Sequence, residues 1–178
     1  MINIIFLFGT LAGLIVIGGM IAVIAASGGQ PEMQDHSLLL GYTIMLVALS
    51  MIFFGIKAYR DRELGGVIRF VPALFMGVGI SIVAGIIYVL VWEVYMAATN
   101  NAYIIAYIEH YIAEQKAAGV TGAALDKLVA DMESFKVQYA DPLFRMPMTF
   151  MEIFPVGLLI SLISAAVLRN PKVLPARG

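Results

Sequence analysis

The chain has 178 residues, 61% hydrophobic and 13% charged, with a mean hydropathy of +0.93. Soluble domains are about half apolar and about a quarter charged, so this balance excludes an ordinary soluble domain and points to a membrane protein. A formal net charge of -1 excludes an electrostatic nucleic-acid binder, and the lack of cysteine excludes disulfide frameworks, thiolate catalysis and cysteine metal sites.

The first apolar run covers residues 2–26. Ala25-Ala26-Ser27 resembles a small-residue cleavage site. However, the run lacks a basic leader and exceeds the roughly 7–15 residues of a signal-peptide core, so it is read as a retained helix. The connection that follows, SGGQPEMQDH, holds no Lys or Arg. A second run covers 38–56 and ends at Lys57, whose long stem can carry its charge back to the interface. The dense charged stretch KAYRDREL then brings Lys57, Arg60, Asp61, Arg62 and Glu63 together. It is expected to anchor the chain by pairing within itself and with phosphate headgroups, the alternative being a partner-docking or anion site.

The third run, 72–95, opens at Pro72, a residue suited to a first helical turn, and closes at Trp92, Glu93 and Tyr95. The fourth covers 147–168. A bilayer crossing takes about 20 apolar residues, and in lipid each backbone must satisfy its own hydrogen bonds, so all four runs are predicted helices. Lys57, Arg60, Arg62 and Arg69 follow the second run, and Arg169, Lys172 and Arg177 follow the fourth. The positive-inside rule therefore places both termini in the cytoplasm.

Residues 97–145 lie between the third and fourth runs and are then extracytoplasmic. Ile104, Tyr107, Ile108, Tyr111 and Ile112 recur at helical spacing up to Gly119. Thr121 is a plausible N-cap for a second arm whose stripe is Leu125, Leu128, Val129, Met132 and Phe135, ending before Asp141-Pro142. The pattern predicts a helical hairpin turning near Gly119, with its first arm either continuing the third span or separated from it at ATNN. Its apolar faces cover each other, or meet the membrane surface or a partner. Tyr103, Tyr107 and Tyr111 suit an interface with water. The expected architecture is all-α: a single membrane domain of four spans with this hairpin inserted.

Small residues recur every four positions as Gly77, Ser81 and Gly85 in the third run and as Gly157, Ser161 and Ala165 in the fourth. Gly9 and Gly13 repeat the pattern in the first. Such spacing lets backbones approach closely, and the third and fourth spans are expected to pack on each other, or alternatively to use these stripes in an oligomer.

Two acids are candidate functional or buried groups. Glu152 stands among Met, Phe, Ile and Leu, about 7–8 Å along the helix from Pro147 at ~1.5 Å per residue. Glu93 follows Trp92 at a similar depth. If the two carboxylates approach each other they would share a proton or a cation. The plainer reading pairs Glu152 with Arg145, a tyrosine or a freed helix donor, and leaves Glu93 interfacial. Glu152 lies roughly 140° around the helix from Gly157, off the small-residue face. Pro155 cannot donate to the carbonyl of Met151 and is expected to kink the helix. His110 and Glu114 share a face at i, i+4, and His36 follows Asp35, but no ligand set for a metal forms, and no cofactor motif is present.

The segments GIKAYRDRELGGVIRF, IIYVLVWEVY and TFMEIFPVGLLISLISAAVLR resemble those of a bacterial integral-membrane group, domain-of-unknown-function family 4199. The resemblance implies a multi-pass protein of the bacterial inner membrane. It implies recurrent motif positions at Lys57, Tyr59, Arg60, Asp61, Gly65, Gly66, Trp92, Glu152, Pro155 and Gly157, and carries over no activity. The expected function is a non-enzymatic structural or partner-binding membrane component, its partners the lipid bilayer and a second copy or another membrane protein. The alternative is an oligomeric proton- or cation-linked transporter or channel component using Glu152 with Glu93.

Overall fold

A computed structural model describes residues 1–26 and 35–176. The connection between the first two helices, the Ser27 half of the cleavage-like motif, the side chains of Asp35 and His36, and Arg177 lie outside the described residues. Six helices are present, α1 Ile2–Ala26, α2 Asp35–Glu63, α3 Phe70–Ala98, α4 Ala102–Ala117, α5 Ala123–Ala140 and α6 Pro142–Leu168, with no strand among the described residues.

Helices α1, α2, α3 and α6 are each long and apolar enough to cross a membrane. Only 28–44% of their most apolar windows is buried inside the molecule, so most of their apolar surface faces outward. Phe6, Leu11, Phe54, Phe75, Leu90, Leu159 and Ile163 are among the residues so exposed. Water would not tolerate a belt of this extent, whereas lipid makes it neutral. The protein is a multi-pass membrane protein.

The inward faces are narrow seams of small and branched residues. On α1 the buried set is Ile5, Gly9, Ala12, Gly13, Val16, Ile17 and Ile24, one stripe of the helix. Helix α3 is central, packing most extensively on α6, then on α1, and also on α2; α2 in turn packs on α1 and α6. The α3–α6 seam is where the small residues meet. A Cβ added at Gly77 would stand 2.8 Å from Ser161 Cβ, and one at Gly157 would collide with Ser81 Oγ. Ala165 is fully buried in α6, and Gly85 lies under the Phe150 ring, where an added Cβ would be 2.6 Å from it. Gly13 gives α1 the same closeness to α3, since its Cβ would be 2.8 Å from the Ala84 carbonyl oxygen.

Several boundaries differ from those expected. Helix α2 runs on to Glu63 rather than ending at Lys57, because Lys57 pairs with Asp61 one turn later and keeps the charged turn helical. It stops at Gly65 and Gly66, both with positive φ, where the Gly66 N–H closes on the Arg60 carbonyl at 2.9 Å. Helix α6 begins at Pro142, not near Pro147: Asp141 accepts a capping hydrogen bond from the Leu143 N–H at 2.9 Å and Pro142 fills the first helical position. Both Pro147 and Pro155 sit inside this one helix. Helix α5 is preceded by Gly122 rather than capped by Thr121.

The four spans define two ends. At one lie the α2–α3 loop and the C-terminal tail; at the other α4 and α5 form the helical hairpin between α3 and α6. Asn100 and Asn101, with φ of 50° and 59°, separate α3 from α4, so the first arm is a distinct helix. The arms pack on each other, and α5 also packs on α6. Ile104, Ile108 and Tyr139 are buried there, while Leu125, Leu128, Val129, Met132 and Phe135 are half-buried.

Candidate functional site

Beneath the hairpin lies a partly open cavity of about 500 Å³. Met20 of α1, Tyr88 and Trp92 of α3, and Met148 and Glu152 of α6 form the wall contributed by the long helices. Tyr103, Ile104, Tyr107 and Tyr111 of α4, with Met132, Phe135 and Tyr139 of α5, close it from the hairpin side. Five of the eight tyrosines in the chain converge on this cavity. The volume falls within the ~300–1,000 Å³ range of small-molecule sites, and the lining is aromatic with hydroxyl tips and one carboxylate.

Glu152 is the one formally charged residue in that lining. Its surface stays accessible because the space beside it is the cavity, although neighbouring helices crowd its other sides. The Tyr88 hydroxyl lies 3.4 Å from Glu152 Oε2 and 3.2 Å from Met20 Sδ. It has a single proton to donate, and the carboxylate is the stronger acceptor. A lone contact of 3.4 Å leaves most of the acceptor capacity of Glu152 free for something in the cavity.

Glu93 takes a different partner. Arg145, 4% exposed, donates through Nε to Glu93 Oε1 at 2.7 Å and through a terminal nitrogen to Oε2. Its other terminal nitrogen donates to Asn101 Oδ1 at 3.0 Å and to the Tyr139 carbonyl at 3.1 Å. One guanidinium thus ties α3, the α3–α4 turn, the end of α5 and α6 together. The two acids are not brought into a shared site, and Arg145 serves Glu93 rather than Glu152. Glu152 has the tyrosine partner among those the sequence suggested.

Trp92, the only tryptophan, is fixed on three sides. It stacks on Tyr95 and meets Tyr103 edge-on, each at 5.3 Å between ring centres, and its Nε1–H donates to the Tyr139 hydroxyl at 3.1 Å. Burial pushes the Tyr103 hydroxyl up to about 12, with Tyr139 and Tyr107 nearby adding to the rise. Burial likewise raises Tyr107 and Tyr139, opposed in Tyr139 by the Trp92 hydrogen bond. These phenols are neutral at physiological pH, so the wall offers ring faces and O–H dipoles but no charge.

At the opposite end Arg60 is fully buried. Its Nε donates to Asp61 Oδ1 at 2.6 Å, and its terminal nitrogens donate to the carbonyls of Val173, at 2.9 Å, and Leu174. The charged stretch is therefore in part an internal clamp on the C-terminal tail, while Arg62 extends from the last turn of α2 and Glu63 takes the Met1 amine at 2.8 Å. His110 and Glu114 are both exposed. Tyr88, Tyr139 and Met20 carry no signal in the sequence that marks them as site residues. Tyr103, Tyr107 and Tyr111 do, at i, i+4, i+8, but that spacing fits an interface equally well.

No curated protein and no solved structure matches the chain. A family match described as "Protein of unknown function (DUF4199)" extends over residues 7–170, nearly the whole length. The chain belongs to the DUF4199 family.

Proposed function

We propose that this protein is a non-enzymatic component of the bacterial inner membrane that binds a small ligand in the aromatic cavity, with the hairpin outside the cell and both termini in the cytoplasm. The observation that carries this reading is the cavity itself: about 500 Å³ bounded by five helices, with the accessible Glu152 carboxylate on its wall and Arg145 committed elsewhere. Lipid is the implied solvent of the spans, and a second copy or another membrane protein remains the proposed partner for the outward apolar and hairpin surfaces, since the small-residue stripes are used within the molecule. A proton- or cation-linked transport role would draw on Glu152 alone, since Glu93 is held by Arg145. The orientation is supported by Lys57, Arg60, Arg62, Arg69, Arg169 and Lys172 at the loop end.

Native mass spectrometry of the full chain released from membranes tests the binding role. A small molecule should stay bound and should be absent from Met132→Trp, which fills the space. A wild-type protein that emerges empty would sink the reading. The orientation is checked separately, because the chain has no cysteine of its own. Gly119→Cys should react with an impermeant maleimide on intact cells and Lys172→Cys should not.

A further inference from the structure

The lining of the cavity selects among ligand classes, an argument that rests on the cavity being a ligand site. An anion would meet the Glu152 carboxylate with no base in the lining to offset it. A neutral apolar molecule would strip water from that carboxylate and return only the single long Tyr88 contact. A small metal ion needs several oxygen ligands, and no group of three or more acidic or histidine side chains forms among the described residues. What remains is a large, weakly hydrated cation, which aromatic faces attract through their quadrupole and a carboxylate neutralises.

The charged groups nearby agree. Arg145, the nearest buried base, is neutralised by two hydrogen bonds to Glu93, and the phenols are uncharged. Tyr107 and Tyr111 stack in parallel along α4, 6.5 Å between centres, and Tyr103 and Phe135 line the same cavity as Glu152. We propose that the cavity binds an organic ammonium cation, a methylated amine carried on a free small molecule or on a lipid headgroup, held by Glu152 and the rings of Tyr103, Tyr107, Tyr111 and Phe135.

Trp92 reports occupancy directly, because it lines the cavity and is the only tryptophan. Its emission is followed in the full-length protein in detergent while choline is added, and again with 3,3-dimethylbutan-1-ol, the uncharged carbon isostere of choline. Choline should give a saturable change, and the isostere should bind about tenfold more weakly or worse. Glu152→Gln should weaken choline by about tenfold. Tyr107→Leu should weaken it by about fivefold, while Tyr107→Phe, which keeps the ring, should stay within about twofold of wild type. Equal binding of choline and the isostere, or no effect of Glu152→Gln, overturns the cation assignment and leaves the cavity a ligand site. No saturable response to either probe, in protein whose thermal unfolding is unchanged, overturns both. Repeating the titration in nanodiscs assigns the source. Loss of the choline response in phosphatidylcholine discs but not in phosphatidylglycerol discs identifies a lipid headgroup, and retention in both identifies a free cation; either result supports an ammonium site.

Discussion

Replacing Arg145 with methionine removes a charge that holds four parts of the chain at once. The Glu93 carboxylate, 13% exposed, loses both of its hydrogen bonds from Arg145, and Asn101 Oδ1 and the Tyr139 carbonyl each lose a donor. Removing one member of a buried pair leaves the other uncompensated and typically costs about 3–5 kcal/mol. Here the loss falls on the junction between the hairpin and the spans, because α3 and α6 keep their glycine–serine seam. Local opening of α4 and α5 should therefore become about a hundredfold more frequent or greater, at about 1.4 kcal/mol per factor of ten. Hydrogen exchange read by mass spectrometry in nanodiscs measures this, as faster exchange across residues 102–140 with α1 unchanged. Pairing Arg145→Met with Glu93→Met removes the orphaned charge and should recover most of the protection. If Arg145→Met leaves the hairpin as protected as wild type, or if the double variant is no better than the single, the tie is not what positions the hairpin.

Three further outcomes are expected. Arg60→Leu forfeits charge-assisted bonds to the Val173 and Leu174 carbonyls, each worth about 1.5–3 kcal/mol, so trypsin should cut at Lys172 at least about tenfold faster in limited proteolysis. Gly77→Ala would drive a methyl to 2.8 Å from Ser161 Cβ and should destabilise by about 1–3 kcal/mol in thermal unfolding, with relief from an added Ser161→Gly. Tyr103 has its hydroxyl raised from 10.0 to about 12 by burial, so the folded state resists its ionisation. That contribution is complete below pH 10 and lost as pH climbs to about 12; Tyr103→Phe should flatten the alkaline decline in stability, followed beside the phenolate absorbance band.

The spans were legible because a twenty-residue apolar run has few alternatives in lipid, and the hairpin because its arms repeat at helical spacing between Gly119 and the flanking polar residues. The α3–α6 seam was legible for a similar reason: Gly77, Gly157, Ser81 and Ser161 advertise close approach within each helix separately. Helix ends were less so. Pro147 and Lys57 look like boundaries, yet the Asp141 cap and the Lys57–Asp61 pair override them through contacts only a residue or a turn away. The site was the least legible part. Glu152 stands out as an acid among apolar neighbours, but its surroundings come from α1, α3, α4 and α5, and no local pattern reveals which tyrosines fold over it. Arg145 sits seven positions before Glu152 and looked available to it; the partner it takes is 52 residues away on α3. Arg60 likewise reaches carbonyls more than a hundred positions along the chain.

Helix α3 carries the seam glycines, Tyr88, Trp92 and Glu93 on one unbroken rod. Adding a single residue to it turns everything beyond that point by about 100° and shifts it by about 1.5 Å. Inserted between Gly85 and Tyr88, that residue would swing the tyrosine from Glu152 and Glu93 from Arg145 in one step. The same insertion at Gly119, an exposed turn with nothing within 4 Å of an added Cβ, would displace none of them. The exposed hairpin tip can take up a change of length, whereas the central rod behaves as a ruler whose graduations set the site.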